Sequence, residues 1–293
     1  MLLRPYQRVL DTCEPYLIAR PPVREGLDAS PLGLDIPAAN IFDPQRVAGS
    51  TFIQLVKHVD ELAYGPVGLS MPAWVFYDCA VMPGAVFGFA RRARHLESWA
   101  RRALAVPDGY EGLVPVSIFI CIPTVARSAA LVYTLCSVNQ IAPGAAPEGL
   151  WRLTLAAGTQ AFRLTEMLAT CQWRSPQLGL YAGLGPLRLQ TAWTPAHDNP
   201  ATCTFRVTAD ANGRERLLRG DLLGPEGIHR YIDADDTQAM RALQAEIESG
   251  VEVAVVGPAE IRGSDTRVPL QVGSDAEPIT TEPGAGFTRR FQG

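Results

Sequence analysis

The order of segments along this chain predicts an α/β fold, and three observations carry that expectation. Two nearly continuous apolar runs, 114–122 and 130–138, read as strands covered on both faces. Apolar residues recur at helical spacing over 50–63 and 147–168. From 130 to 194 the segments follow one another as strand, loop, helix, strand, helix, strand.

Each element has a local reason. Ser50 or Thr51 caps a helix over 50–63, where Phe52, Leu55, Val56, Val59 and Leu62 form one stripe. The segments 74–79 and 85–90 read as strands joined by Met82-Pro83-Gly84. A helix over 90–105 carries Arg91, Arg92, Arg94, Arg101 and Arg102 on a solvated face. The helix at 147–168 has Pro147 in its first turn and Gly158 as a weak point inside it. A short strand at 169–173 leads to Ser175-Pro176, a cap and first helical residue for 176–184. Strands at 187–194 and 202–208 alternate and should pair antiparallel. Beyond them come a turn at 210–213, a helix at 236–249 and a strand at 251–256. The expected organisation is a loop-rich segment over 1–49 and an α/β unit over 50–208. A helix-strand appendage over 209–272 and a mobile tail over 273–293 complete it.

Composition excludes several classes. Of 293 residues 47% are hydrophobic and 19% charged, enough apolar material for a large core and too much for disorder over most of the chain. A net charge of -4 argues against a general nucleic-acid footprint. Lys57 is the single lysine among 26 basic residues, so Schiff-base chemistry has one candidate. The six cysteines are scattered with no C-x-x-C pair, and the four histidines lie far apart, so neither a disulfide framework nor a metal site is expected. The N-terminus has no signal-peptide pattern, and the most apolar stretch holds Pro115, Pro123 and Arg127. A cytoplasmic protein with no membrane span is expected.

The most specific segment follows the strand 130–138. Asn139-Gln140-Ile141-Ala142-Pro143-Gly144-Ala145-Ala146 is a small-residue loop entering a helix. Unpaired N–H groups and the helix dipole there suit an anion, although an ordinary turn between strand and helix has the same composition. Further on stands Tyr181-Ala182-Gly183-Leu184-Gly185. Over 50–208 this order resembles the GNAT-type acyltransferase superfamily. Its Gln/Arg-x-x-Gly-x-Gly/Ala loop is matched by Gln140 and Ala145, with Pro143 at the first glycine position, and its Tyr-x-x-Leu-Gly helix ending is matched at Tyr181.

The resemblance implies a mixed central sheet flanked by helices, with acyl-CoA as cofactor wedged at splayed strands near 136–145. It implies that Gln140, Gly144 and Ala145 hold the pyrophosphate and that N–H groups near Val138 polarise the thioester carbonyl. Tyr181 protonates the departing thiolate, and Asp78 or Glu148 serves as base. No metal is implied. The expected partners are a small-molecule acceptor and a second copy in a homodimer, with neither nucleic acid nor membrane. Two other classes stay open. One is a mainly β enzyme resembling acetoacetate decarboxylases, which would need Lys57 or chemistry without it. The other is a catalytically silent protein that only binds a ligand. The pair His197-Asp198 reads as part of a surface loop.

Overall fold

The computed structural model describes residues 2–126, 128–193, 201–221 and 227–273. In chain order the helices are α1 (Gln7–Thr12), α2 (Pro21–Arg24), α3 (Pro44–Val47), α4 (Thr51–Tyr64) and α5 (Ala73–Val75). They continue as α6 (Ser98–Ala103), α7 (Leu150–Ala161), α8 (Pro176–Ala182), α9 (Ala211–Arg219) and α10 (Thr237–Glu248). The strands are β1 (Glu14–Ile18), β2 (Ile41–Phe42), β3 (Ala85–Arg92), β4 (Leu113–Pro115), β5 (Ser117–Pro123), β6 (Ala129–Ser137) and β7 (Glu166–Gln172). After them come β8 (Leu187–Thr191), β9 (Thr202–Thr208), β10 (Arg230–Asp233), β11 (Glu252–Val255), β12 (Glu260–Arg262) and β13 (Asp265–Gly273).

All of these strands join one open sheet in the order β10-β13-β11-β8-β9-β7-β6-β5-β3-β1-β2, with β12 on β13 and β4 on β3. Its pairs are antiparallel except β1 with β2 and β6 with β7. The fold is therefore α/β with a mixed, mostly antiparallel sheet flanked by helices. Alternation along β5 places α4 and α7 on opposite faces. Phe119 meets Gly158 of α7 and stacks on Phe162 at 5.6 Å. Thr134, paired with Ile120, donates a 2.6 Å hydrogen bond to Asp60 of α4. Among the described residues the sheet stays open, with β2 at one end and β10 at the other and no pairing between them.

Local signals placed several elements well. Ser50 accepts from the Ile53 amide at the start of α4, Ser175 from the Gln177 amide at α8, and Asp236 from the Gln238 amide at α10. The run 114–122 divides into β4 and β5, both paired with β3, and the run 130–138 became β6, antiparallel to β5.

Other expectations are corrected. Residues 74–79 are helical, not a strand: after Pro72 the chain buries Phe76, Ala80 and Val81, at helical intervals, and exposes Trp74. The helix expected over 90–105 divides: Arg91 and Arg92 end β3, Ala93–His95 makes a single 3-10 turn with Arg94, and Ser98–Ala103 is α-helical around the last arginines. Helix α7 starts at Leu150, after Gly149 at φ 83°, instead of at Pro147. The turn at 210–213 opens α9, because the Asp210 carboxylate accepts from the Gly213 amide and caps it. Within the loop-rich first fifty residues β1 pairs with β3. Pro15 is tolerated there because β2 reaches only Leu17 and Ile18, which leaves the edge beside Pro15 without a partner strand. The boundaries at 49/50 and 208/209 do not interrupt the sheet. β1 joins it on one side, and β11 pairs with β8 on the other. His197, Asp198 and residues 274–293 lie outside the described residues.

Candidate functional site

Among the described residues two strand pairs are parallel, and the one away from the sheet edge, β6 with β7, is incomplete. β6 and β7 are in register at Ala129–Val132 against Glu166–Ala169, and there the pairing stops. β6 runs on to Ser137 along β5, and β7 runs on to Gln172 along β9, so the two strands part. At the point of parting β6 carries a bulge. Ile120 pairs with Thr134 and Cys121 with Val132, leaving Tyr133 as the extra residue. A bulge bends its strand and raises local twist, and here it steers β6 away from β7.

The gap is a cleft of about 460 Å³. Its floor is the Leu135 carbonyl, which β7 does not reach. Two side chains supply donors to that oxygen: the Tyr64 hydroxyl at the end of α4, and the Gln177 amide in the first turn of α8. The Gln177 amide also donates to the Tyr64 hydroxyl. Gln177 is 7% exposed, so its amide is a built part of the interior. An unmet backbone carbonyl would cost about 1–3 kcal/mol, which is the physical reason for these donors. Tyr181 lines the same cleft, one helical turn beyond Gln177. Its ring lies edge-on to Phe205 at 5.4 Å, and among the described residues its hydroxyl has no hydrogen-bond partner.

Electrostatics follow from burial. The Tyr64 and Tyr181 phenols are pushed well above their ordinary value by desolvation, with neighbouring thiols adding to it. Burial raises the Cys171 thiol to about 12 despite hydrogen bonds to Ser175 and the Gln172 backbone. All three groups keep their protons at neutral pH. Among the described residues no Asp, Glu, His, Lys or Arg lines the cleft.

No family model, no curated protein and no solved structure matches this chain.

Tyr181 is therefore the one sequence-singled side chain that lines the cleft. The loop residues singled out with it lie elsewhere, and their polar groups are largely turned inward. The Val138 amide donates to the Val116 carbonyl at 2.9 Å, so its N–H is spent in the sheet and not free to polarise a thioester. The Gln140 side-chain oxygen Oε1 accepts from the Ser137 backbone amide at 3.0 Å, closing a capping box. Asn139 bridges the loop to Ala146 with two hydrogen bonds, and the Ala145 carbonyl accepts from Arg91. Gly144 stands at φ 84° with open space around it. Asp78 is an exposed residue on the helical turn after α5, and it does not line the cleft. Glu148 borders a different hollow of about 510 Å³, between the start of α7 and α8, together with Arg152, Tyr6 and Gly179. α8 separates the two spaces: Gln177 and Tyr181 face the cleft, whereas Gly179 and Gly183 face the hollow.

Sequence reasoning missed Tyr64 and Gln177. The helix expected over 50–63 stops one residue short of Tyr64, and nothing in the segment 176–184 singles out Gln177. Lys57 lies half-buried on α4, 3.8 Å from Glu61, and does not line the cleft. Among the described residues no group of three His, Cys, Asp or Glu side chains gathers around one point, and no helix is long and apolar enough to cross a membrane.

Proposed function

We propose that this chain binds an acyl-CoA-type thioester in the β6/β7 cleft and passes its acyl group to a small-molecule acceptor, in the manner of GNAT-type acyltransferases. The observation that carries the reading is the parting of the parallel strands at the Tyr133 bulge, which leaves the Leu135 carbonyl facing a cleft with a partner-free phenol on its wall. Such a strand edge offers backbone acceptors to an extended ligand that carries amide donors. Gln177 and Tyr64 supply donors to the Leu135 carbonyl, and a ligand amide would take the place of the Gln177 amide. The order of elements from β6 to β8 and the mixed sheet support the same reading.

The hollow by α7 would take the nucleotide end of such a ligand at Arg152, with Glu148 and Asp221 also on its wall. Arg152 stands in the first turn of α7, and the helix has no side-chain cap, so its first N–H groups and the positive end of its dipole are open to an anion. Ser175 borders the cleft and Pro176 the hollow, so a ligand passing the start of α8 reaches both. Gln140, Gly144 and Ala145 then act by shaping the approach to α7, and Tyr181 supplies the proton to the leaving thiolate.

A second reading is a protein of the same fold that binds the ligand without turnover. It is favoured by one observation: no carboxylate or histidine among the described residues lines the cleft, so no base for an amine or hydroxyl acceptor stands there.

The test is a thermal-shift series with CoA, acetyl-CoA and decanoyl-CoA, followed by release of free thiol in the presence of amine and alcohol acceptors. A rise in Tm with CoA species and acceptor-dependent thiol release support transfer. A rise without release supports binding alone. No rise with any of the three rejects the cleft as a CoA site.

A further inference from the structure

We propose that a second hollow, at the opposite end of β6 from the cleft, is a site for a medium-chain fatty carboxylate. It has a volume of about 600 Å³, in the range of small-molecule sites. Val23 and Leu27 wall it on the α2 side, Ala85 and Cys121 from the sheet, and Phe162 and Leu164 from the exit of α7. It shares no lining residue with the β6/β7 cleft, so the inference stands apart from the acyl-CoA reading.

One charge borders this apolar space. Among the described residues that line it, Arg163 is the sole ionised side chain, and no Asp or Glu is present. Arg163 is exposed and has no ion pair or side-chain hydrogen bond among the described residues. The nearest carboxylate in sequence, Glu166, is paired with Arg206 at 2.8 Å, and Asp28, beside the lining residue Leu27, is held by the Gln160 amide at 3.1 Å and by the Ser30 amide at 2.8 Å.

The backbone makes the choice of arginine informative. Arg163 sits just past α7 at φ 50°. Its amide donates to Gln160 and the next amide, Leu164, donates to Thr159, which is the two-bond helix ending that favours glycine. The Phe162 and Asp28 amides take the Gly158 and Ala161 carbonyls, so the negative helix end is largely covered. Arginine is therefore carried where glycine would relieve the backbone, and its guanidinium stands free at the rim of an oily space. A planar guanidinium matches a carboxylate with two parallel hydrogen bonds, and the hollow takes the hydrocarbon. A long-chain alcohol offers the chain without the charge, and a quaternary ammonium has the wrong sign. The Cys121 thiol, buried and held well above its ordinary value, leaves the association non-covalent.

Isothermal titration of decanoate, decanol and decyltrimethylammonium into the whole protein tests this. Decanoate should bind about tenfold or more tighter than decanol, as one charge-assisted pair contributes, and the ammonium should bind weakest. Arg163→Gly should raise the ligand-free Tm by about 1–3 °C through relief of the backbone while lowering decanoate affinity to the decanol level. Arg163→Lys should keep the preference for decanoate, and Val23→Trp should fill the space and weaken decanoate and decanol together. The proposal is overturned if decanoate and decanol bind equally, if Arg163→Gly leaves decanoate affinity unchanged, or if decanoate does not bind the unaltered protein.

Discussion

Tyr181 is a buried phenol held well above its ordinary value, and this limits what it could contribute as the acid of the proposed transfer. A phenol above 10 that hands its proton to a thiolate near 8.5 moves the proton uphill. Its contribution should fall below the usual range of about 10²–10⁴-fold for positioned acids. Tyr181→Phe should therefore lower kcat by about tenfold, with KM for the thioester and Tm nearly unchanged, since the ring keeps its contact with Phe205. Full activity in that variant removes the acid role. Asp60, on the other face of the sheet, offers a measurable titration. Burial raises its carboxyl, and hydrogen bonds from Thr134 and the Met71 amide only partly counter this. A carboxyl with a folded pKa above its unfolded value contributes stability that is complete below the unfolded value, about 3.9, and is lost as pH rises through the folded value. Tm of the unaltered protein should decline over that window, and Asp60→Asn should flatten the decline. Parallel Tm–pH curves for the two proteins would show that Asp60 titrates normally.

At the scale of elements, α7 shows packing overruling propensity. A glycine inside a helix costs about 1 kcal/mol relative to alanine, so Gly158→Ala looks stabilising from sequence alone. A Cβ at 158 would lie 2.4 Å from the Phe119 ring, which is itself stacked on Phe162. The bare backbone lets α7 lie against β5, and the ring has no free direction in which to retreat. Gly158→Ala should lower stability by about 1–3 kcal/mol, the usual cost of overpacking, as read from urea unfolding. A gain in stability would mean that the ring yields. Helix α8 is the other instructive element. Its cap at Ser175 and its proline at 176 are local features and were legible; the burial of Gln177 and its bonds across to Tyr64 and Leu135 were not.

At the scale of the whole molecule, the sheet runs without a break from β2 to β10, so the 50–208 portion shares its sheet with strands on both sides. Removing residues 1–49 strips β1, with Tyr16, Leu17 and Ile18 at 0%, 2% and 0% exposure, from the core. Removing 209–293 takes β11 from β8 and α9 from α7. A fragment covering 50–208 should lack a cooperative thermal transition and should associate through its bared β3 and β8 edges. Circular dichroism and light scattering would measure this. A monomeric fragment with a sharp melt would mean that the flanking strands are dispensable.

Sequence alone determined the parts whose causes are local. The Ser50, Ser175 and Asp236 caps act within three residues, and the apolar runs of β5 and β6 declare central strands by composition. The general α/β character followed from these. The tertiary structure decided the site. The Leu135 carbonyl is met by residues 71 and 42 positions away, and the parting of β6 from β7 arises from two different partner strands pulling on them. No local pattern encodes either fact, because a glutamine in a first helical turn has the same sequence appearance whether it faces water or a strand edge. The 139–147 loop shows the converse. Its small residues suggested open donors, yet Asn139 and Gln140 close several of its polar groups on themselves. Short-range chemistry sets where elements begin and end, whereas long-range pairing sets which polar groups remain free to meet a ligand.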